Sequence, residues 1–214
     1  MIGMVCKDIL VLRKQMLYYL FFIAVYTVLV VAGVFPPSIL PAVMVIIGML
    51  LPMSSFGFDD QAHWEKFAAA TPAGRRDIVA GKYLFALLSV GVTALLVLAL
   101  MAALAVLGLA EFAAAETLFS MLVCIALSLI FNAITLPVLL KFGAEKSRII
   151  SIVIFVAVFG GVMLLGQLAD SAGVELTLGP WLVNALPMVL AMVCVGALVI
   201  SYFVALGIYQ RKEF

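Results

Sequence analysis

Charge is scarce in this sequence: Asp, Glu, Lys and Arg together make up 11% of 214 residues, and histidine occurs once, as His63. A soluble globular domain carries about 25% charged and roughly 45–50% apolar residues. Here hydrophobic residues reach 67% and the mean hydropathy is +1.34. No soluble fold hides that much apolar surface, so the chain reads as an all-α integral membrane protein in one domain over residues 1–214. The three cysteines, Cys6, Cys124 and Cys194, lie far apart and form no CxxC or Cys/His spacing, which excludes a disulfide framework and a zinc site. With one histidine and no HExxH, GxSxG or paired membrane aspartates, an intramembrane protease has neither its nucleophile and base nor its metal. Asp59, Asp60 and Glu65 are the carboxylates that could approach an interfacial metal, but nothing beside them completes a site. No phosphate-binding GxxxxGK-(S/T) loop is present either. No catalytic residue, metal ligand or cofactor site is therefore expected in this chain.

What is present is long apolar runs. The hydrocarbon core of a bilayer is about 30 Å thick and a helix rises 1.5 Å per residue, so a span needs roughly 20 apolar residues. Six stretches qualify: Met16 to Val34, Ile39 to Gly57, Leu84 to Leu109, Leu118 to Leu140, Ile149 to Leu168 and Leu182 to Tyr209. None contains Asp, Glu, Lys, Arg or His. Ion-coupled transport uses carboxylates or histidines among the spans, so any energy for transport must come from another subunit.

Charge between the spans orients them. All twelve Lys and Arg residues fall in the N-terminal segment, in the connections Phe58 to Tyr83 and Lys141 to Arg148, or in the C-terminal tail. The remaining connections hold Glu111, Glu116, Asp170 and Glu175 and no base. Cytoplasmic loops carry the excess of Lys and Arg, so both termini are expected in the cytosol of a bacterial plasma membrane. The N-terminal stretch is too long in its apolar run for a cleaved signal peptide.

Ahead of the first span, Ile2, Val5, Ile9 and Leu12 recur at helical spacing, with Lys7, Asp8, Arg13 and Lys14 on the opposite arc. That pattern predicts a short amphipathic helix in the cytosolic interface. In the connection after the second span, Asp59 and Asp60 are placed to cap a short helix through His63, Trp64, Glu65, Lys66 and Phe67. Thr71 to Gly74 reads as a turn, and helix restarts at Arg75. Pro36, Pro37 and Pro41 make the first external connection tight.

Within the spans polar groups are few: Ser89, Thr93, Asn132, Thr135 and Gln167. Asn132 is costly to bury unpaired, so it and Thr135 are expected to face a cavity or another helix. Pro137 removes a backbone hydrogen bond and predicts a kink near Ala133. Ala197, Ser201 and Ala205 form a small-residue face on the last helix, and Gly160 and Gly161 open the fifth.

An acidic pair, then Trp64, Glu65 and Lys66, then Pro72 with Arg75 three residues on, then Ile78, Val79, Lys82 and Tyr83, resembles the permease subunits of type-2 ATP-binding-cassette exporters. The chain departs at Ala73 and Gly74, where a bulkier aliphatic and a hydroxyl residue are expected. This short six-span type is most like the permeases of exporters for phenol-soluble modulins and other antimicrobial peptides. The resemblance implies a homodimer clamped by two copies of a separate ATPase that holds ATP and Mg. It implies a coupling helix made of Asp60, His63, Trp64, Glu65, Lys66 and Phe67, supported by Pro72, Arg75 and Arg76, and a substrate path between the first and fifth spans. Membrane lipid, amphipathic peptides and no nucleic acid are the partners it implies. The alternative is a passive substrate-binding subunit, such as the vitamin-capturing component of an energy-coupling transporter, which would need a polar pocket open to the outside.

Overall fold

In the computed structural model the chain is helical, and the structure is described for residues 2–64, 67, 74–109, 114–171 and 180–211. Five helices follow one another: α1 (Ile2–Val31), α2 (Ile39–Gln61), α3 (Arg75–Val106), α4 (Ala114–Ser171) and α5 (Pro180–Gln210). Five stretches within them are long and apolar enough to cross a membrane: Gly3–Val31, Ile39–Gln61, Arg75–Val106, Glu116–Gly143 and Pro187–Gln210. The remaining expected stretch, the fifth, Ile149 to Leu168, is helical throughout as the second limb of α4. The limbs meet at Gly143, whose φ of 75° and ψ of 174° are not helical. Pro137 does not break α4: the backbone stays helical through it, and the departure comes six residues later.

The expected interfacial helix is not a separate element, because α1 runs unbroken from Ile2 into the first span. Nothing in residues 2–31 stops it: there is no proline, and Gly3 is the one glycine, at the very start. Its expected arcs also mix. Val5 and Leu12 are buried as foreseen, but so is Asp8, while Ile9 and Leu10 are exposed. At the far end, Gly33 takes φ 72°, and Val34 N–H reaches Leu29 O (3.0 Å) while Gly33 N–H reaches Val30 O (3.0 Å). This is a Schellman ending, which needs a residue in the left-handed region and so takes glycine there. Pro36 and Pro37 then turn the chain straight into α2, their carbonyls accepting from Ile39 and Leu40.

The middle of the bundle is α2, packed against α1, α3 and α4, while α5 lies on α3 and α4. Two-thirds of its membrane window (67%) is buried, against 11% for α1 and 17% for α5. The outer helices therefore present wide apolar faces, with Leu17, Tyr18 and Phe21 on α1 and Ile200 and Phe203 on α5 exposed. Such faces are stable against lipid or a second membrane protein and not against water. Around α2, Phe56, Val79, Leu136 and Tyr209 form one core, Leu40, Met44, Val97 and Met121 a second at the opposite end, and Leu12, Val43, Ile47 and Phe85 a third beneath α1. Of the small-residue face expected on the last helix, Ser201 and Ala205 are buried against its neighbours.

Candidate functional site

The segments that carry the basic residues meet at one end of the bundle. Lys7 of α1 reaches Asp59 of α2, Lys82 of α3 reaches the same carboxylate, Arg75 donates to the Gln210 carbonyl of α5, and Asp60 faces the break in α4. At that end α2 does not stop at Gly57, as expected, but continues to Gln61. Asp59 and Asp60 thus lie in its last turn. Carboxylates at a helix C-terminus oppose the macrodipole, and here two ammonium groups offset that cost.

The result is a buried square of alternating charge. Lys7 Nζ lies 2.9 Å from Asp8 Oδ1 and 2.5 Å from Asp59 Oδ1. Lys82 Nζ lies 3.1 Å from Asp8 Oδ1 and 2.6 Å from Asp59 Oδ2. Lys82 also donates to Ser55 Oγ at 2.6 Å. The side chains of Asp8, Asp59 and Lys82 are 2–10% exposed and that of Lys7 20%, so this is an interior cluster and not a surface one. Sequence reading missed it, although the signal was present: Asp59 has no base on its own helix, and Lys82 abuts the apolar run of α3. The pairs span 52 and 74 residues, beyond the reach of any local pattern.

Among the expected loop residues, His63 ends α2 with a φ of 49°, and Trp64 packs on the core around Phe56. Lys7 Nζ stands 4.7 Å from the Trp64 ring centroid, a cation–π contact. Trp64 is thus half-buried on its own chain, whereas Phe67 is 64% exposed. Arg75 and Arg76 are exposed, and Arg75 bonds the end of α5, not Asp59. The reason is depth: Lys82 lies two turns, roughly 10 Å, further along α3, level with that carboxylate. Glu65, Lys66 and Pro72 lie outside the described residues. Asp60 faces Gly143, where a β-carbon would come 2.9 Å from Oδ2, so the left-handed break also needs the missing side chain.

Asn132 and Thr135 are 1% exposed and serve packing. Thr135 Oγ1 donates to Phe131 O of its own helix at 2.9 Å. Asn132 Nδ2 donates to Ser128 O (2.9 Å) and across to Gly48 O of α2 (3.0 Å). Gly48 O is the carbonyl that Pro52, having no N–H, leaves without its helical donor. The same device recurs at Pro137: Ser201 Oγ of α5 donates to Ala133 O, and the Tyr83 hydroxyl in turn donates to Ser201 Oγ at 2.6 Å. Each proline thus opens one carbonyl, and a neighbouring helix fills it. Asn132→Leu is expected to cost about 1–2 kcal/mol by orphaning Gly48 O in an apolar setting. Pro52→Ala restores the N–H and should recover much of that loss, a coupling readable from the melting temperatures of the single and double variants in detergent.

A cavity of about 620 Å³ opens between α1, α2 and both limbs of α4. Among the described residues its walls are Met, Ile, Leu and Phe side chains with Gln15, Ser54, Gln61 and Ser151 as polar points and no charged one. Gln15 Nε2 donates to Ser54 Oγ (2.8 Å) and to Tyr19 OH (3.1 Å), tying α1 to α2 at its edge. Phe131 and Phe155 meet edge-to-face across the α4 hairpin, with ring centroids 6.4 Å apart. Neither Asn132 nor Thr135 lines this space. An uncharged wall of this kind holds apolar or amphipathic matter and offers no fixed partner to an ion. Among the described residues no group of His, Cys, Asp and Glu is arranged to hold a metal.

Residues 3–210 match the model of a family described as ABC-2 family transporter protein. No curated relative matches the chain. The family is one of non-catalytic membrane subunits that work with an ABC ATPase, and the match covers nearly the whole chain with its apolar helices. The chain belongs to the ABC-2 transporter family and is a multi-pass membrane permease subunit of an ABC transporter.

Proposed function

We propose that this permease exports amphipathic peptides, such as toxins, bacteriocins or antimicrobial peptides, or comparable hydrophobic substrates. Six spans cross the plasma membrane with both termini in the cytosol. Two copies pair, and two copies of a separate ATPase, binding ATP and Mg, dock beneath them. The observation that carries this reading is the cavity of about 620 Å³, uncharged among its described residues, whose walls come from α2 and both limbs of α4 with Gln15 of α1 at its edge. The second limb of α4 is the fifth expected span, one of the two that the resemblance sets beside the substrate path, and Ser151, Ile152 and Phe155 bring it to the cavity. Orientation is supported by the gathering of the basic segments at one end of the bundle. Pairing is supported by the exposed apolar face of α1 and by Gly160 and Gly161, where among the described residues no other element comes within 4 Å of where a β-carbon would stand. Family membership argues against the passive vitamin-capturing subunit, which is a different class of protein.

Docking falls to the connection between α2 and α3, where Phe67 is the exposed ring and Trp64 seats the segment on the bundle. The test is ATP hydrolysis by permease and ATPase co-reconstituted in nanodiscs. Amphipathic helical peptides should stimulate it, and scrambled peptides of equal composition, whose apolar residues no longer gather on one helix face, should do so much less. Ile152→Trp, which adds bulk to the cavity wall, should lower that stimulation several-fold while basal hydrolysis persists. Stimulation by a small hydrophilic solute alone would overturn the peptide reading.

A further inference from the structure

The alternating-charge square is an expensive way to hold three helices together. Buried ion pairs are often no better for stability than packed apolar residues of similar volume, and their best-attested use is to fix one arrangement against others. The geometry here suits that use. Asp59 lies two residues before the end of α2 at Gln61, and Lys82 lies seven residues into α3, so their 2.6 Å pair clamps the exit of one helix to the entrance of the next. Lys7 to Asp59 and Lys82 to Asp8 tie both to the second turn of α1.

Every donor is directed. The Lys82 ammonium has three acceptors, Asp8, Asp59 and Ser55, for its three protons. The Lys7 ammonium has Asp8, Asp59 and the face of Trp64. An apolar contact at this point could slide, because dispersion is non-directional. A square of charge-assisted bonds in which every ammonium proton is committed cannot shift without breaking one.

We propose that Lys7, Asp8, Asp59 and Lys82 form a joint that makes α1, α2 and α3 move together when the connection between α2 and α3 is displaced. This rests on the reading of that connection as the place where the ATPase acts. The four are positioning residues: they touch neither nucleotide nor substrate, and Trp64 links the connection to them. Breaking the joint should leave docking and hydrolysis in place and cost transport.

The decisive variant is Asp59→Asn with Lys82→Met. It removes every ion pair between the three helices, keeps the neutral Lys7 and Asp8 pair within α1, and leaves no net buried charge. In proteoliposomes with the ATPase, it should keep association and hydrolysis near the parental level and lower peptide moved per ATP by roughly 5- to 150-fold, the range of ordinary coupling free energies. Asp59→Glu with Lys82→Arg keeps the charges and should restore the parental ratio. An unchanged ratio in the neutral variant overturns the proposal. So does a joint fall of association, hydrolysis, transport and melting temperature, since that marks a merely structural cluster. If the unsubstituted chain neither binds the ATPase nor moves peptide, the permease reading fails and the joint with it; a failure confined to the ratio removes the joint alone.

Discussion

Lys82→Met alone is expected to destabilise the folded chain by about 3–5 kcal/mol, the usual cost of leaving one partner of a buried ion pair uncompensated. The lysine carries two ion pairs and a hydrogen bond to Ser55, and its side chain is only 8% exposed. Removing it leaves Asp8 and Asp59 sharing Lys7, a net negative charge among apolar residues. Asp8 is the more costly of the two, because its side chain is 2% exposed and Oδ2 already lacks a partner. Lys82→Met with Asp8→Asn returns the cluster to neutrality and keeps the 2.5 Å pair of Lys7 and Asp59. This double variant should therefore be more stable than the single one, which no surface salt bridge would give, since exposed pairs contribute about 0–1 kcal/mol. Thermal unfolding of the purified chain in detergent measures the difference. Equal melting temperatures for single and double variants would mean that water reaches the cluster and screens it.

Phe67→Ala is expected to weaken association with the ATPase by about 2 kcal/mol, roughly 30-fold in Kd, as truncation of a buried aromatic anchor does. Phe67 is 64% exposed in the isolated chain, a large apolar ring in a segment of the basic end, and a partner surface is what would cover it. Trp64→Ala should act differently. Its ring lies on the core around Phe56 and under Lys7, so its loss loosens the seating of the segment and should lower stability as well as association. Arg75→Ala removes a bond to the Gln210 carbonyl from an exposed position and should change affinity little. Co-purification and titration of the ATPase against nanodisc-held variants give the order. If Trp64→Ala weakens association without a loss of stability while Phe67→Ala does nothing, the roles of the two rings are reversed.

Much of the fold was legible because it rests on local chemistry. A run of roughly 20 apolar residues must be helical in a bilayer, where every backbone group has to find its partner within the segment. The expected starts at Ile39 and Arg75 agree with the helices observed there. The errors were also local in form. Gly57 and the acidic pair after it looked like a helix end, because glycine and aspartate favour ends in isolation. At Pro137 the lost helical hydrogen bond was legible, but the Ser201 hydroxyl of α5 that fills the gap was not.

The sequence by itself determined that the chain is a membrane protein, roughly where its helices cross, and which connections share a side, because hydropathy and the placement of Lys and Arg act segment by segment. No phosphate-binding or metal-binding motif of a recognised kind is legible in it. Only the tertiary structure decided that Asp8, Asp59, Lys7 and Lys82 are one object, that the Asn132 amide reaches Gly48 O of α2, and that Gln15, Ser54 and Ser151 border one cavity. Those facts depend on which faces of helices meet across separations of 52, 74 and 84 residues. Helical periodicity places a side chain on a face, and packing against other helices chooses what that face will touch.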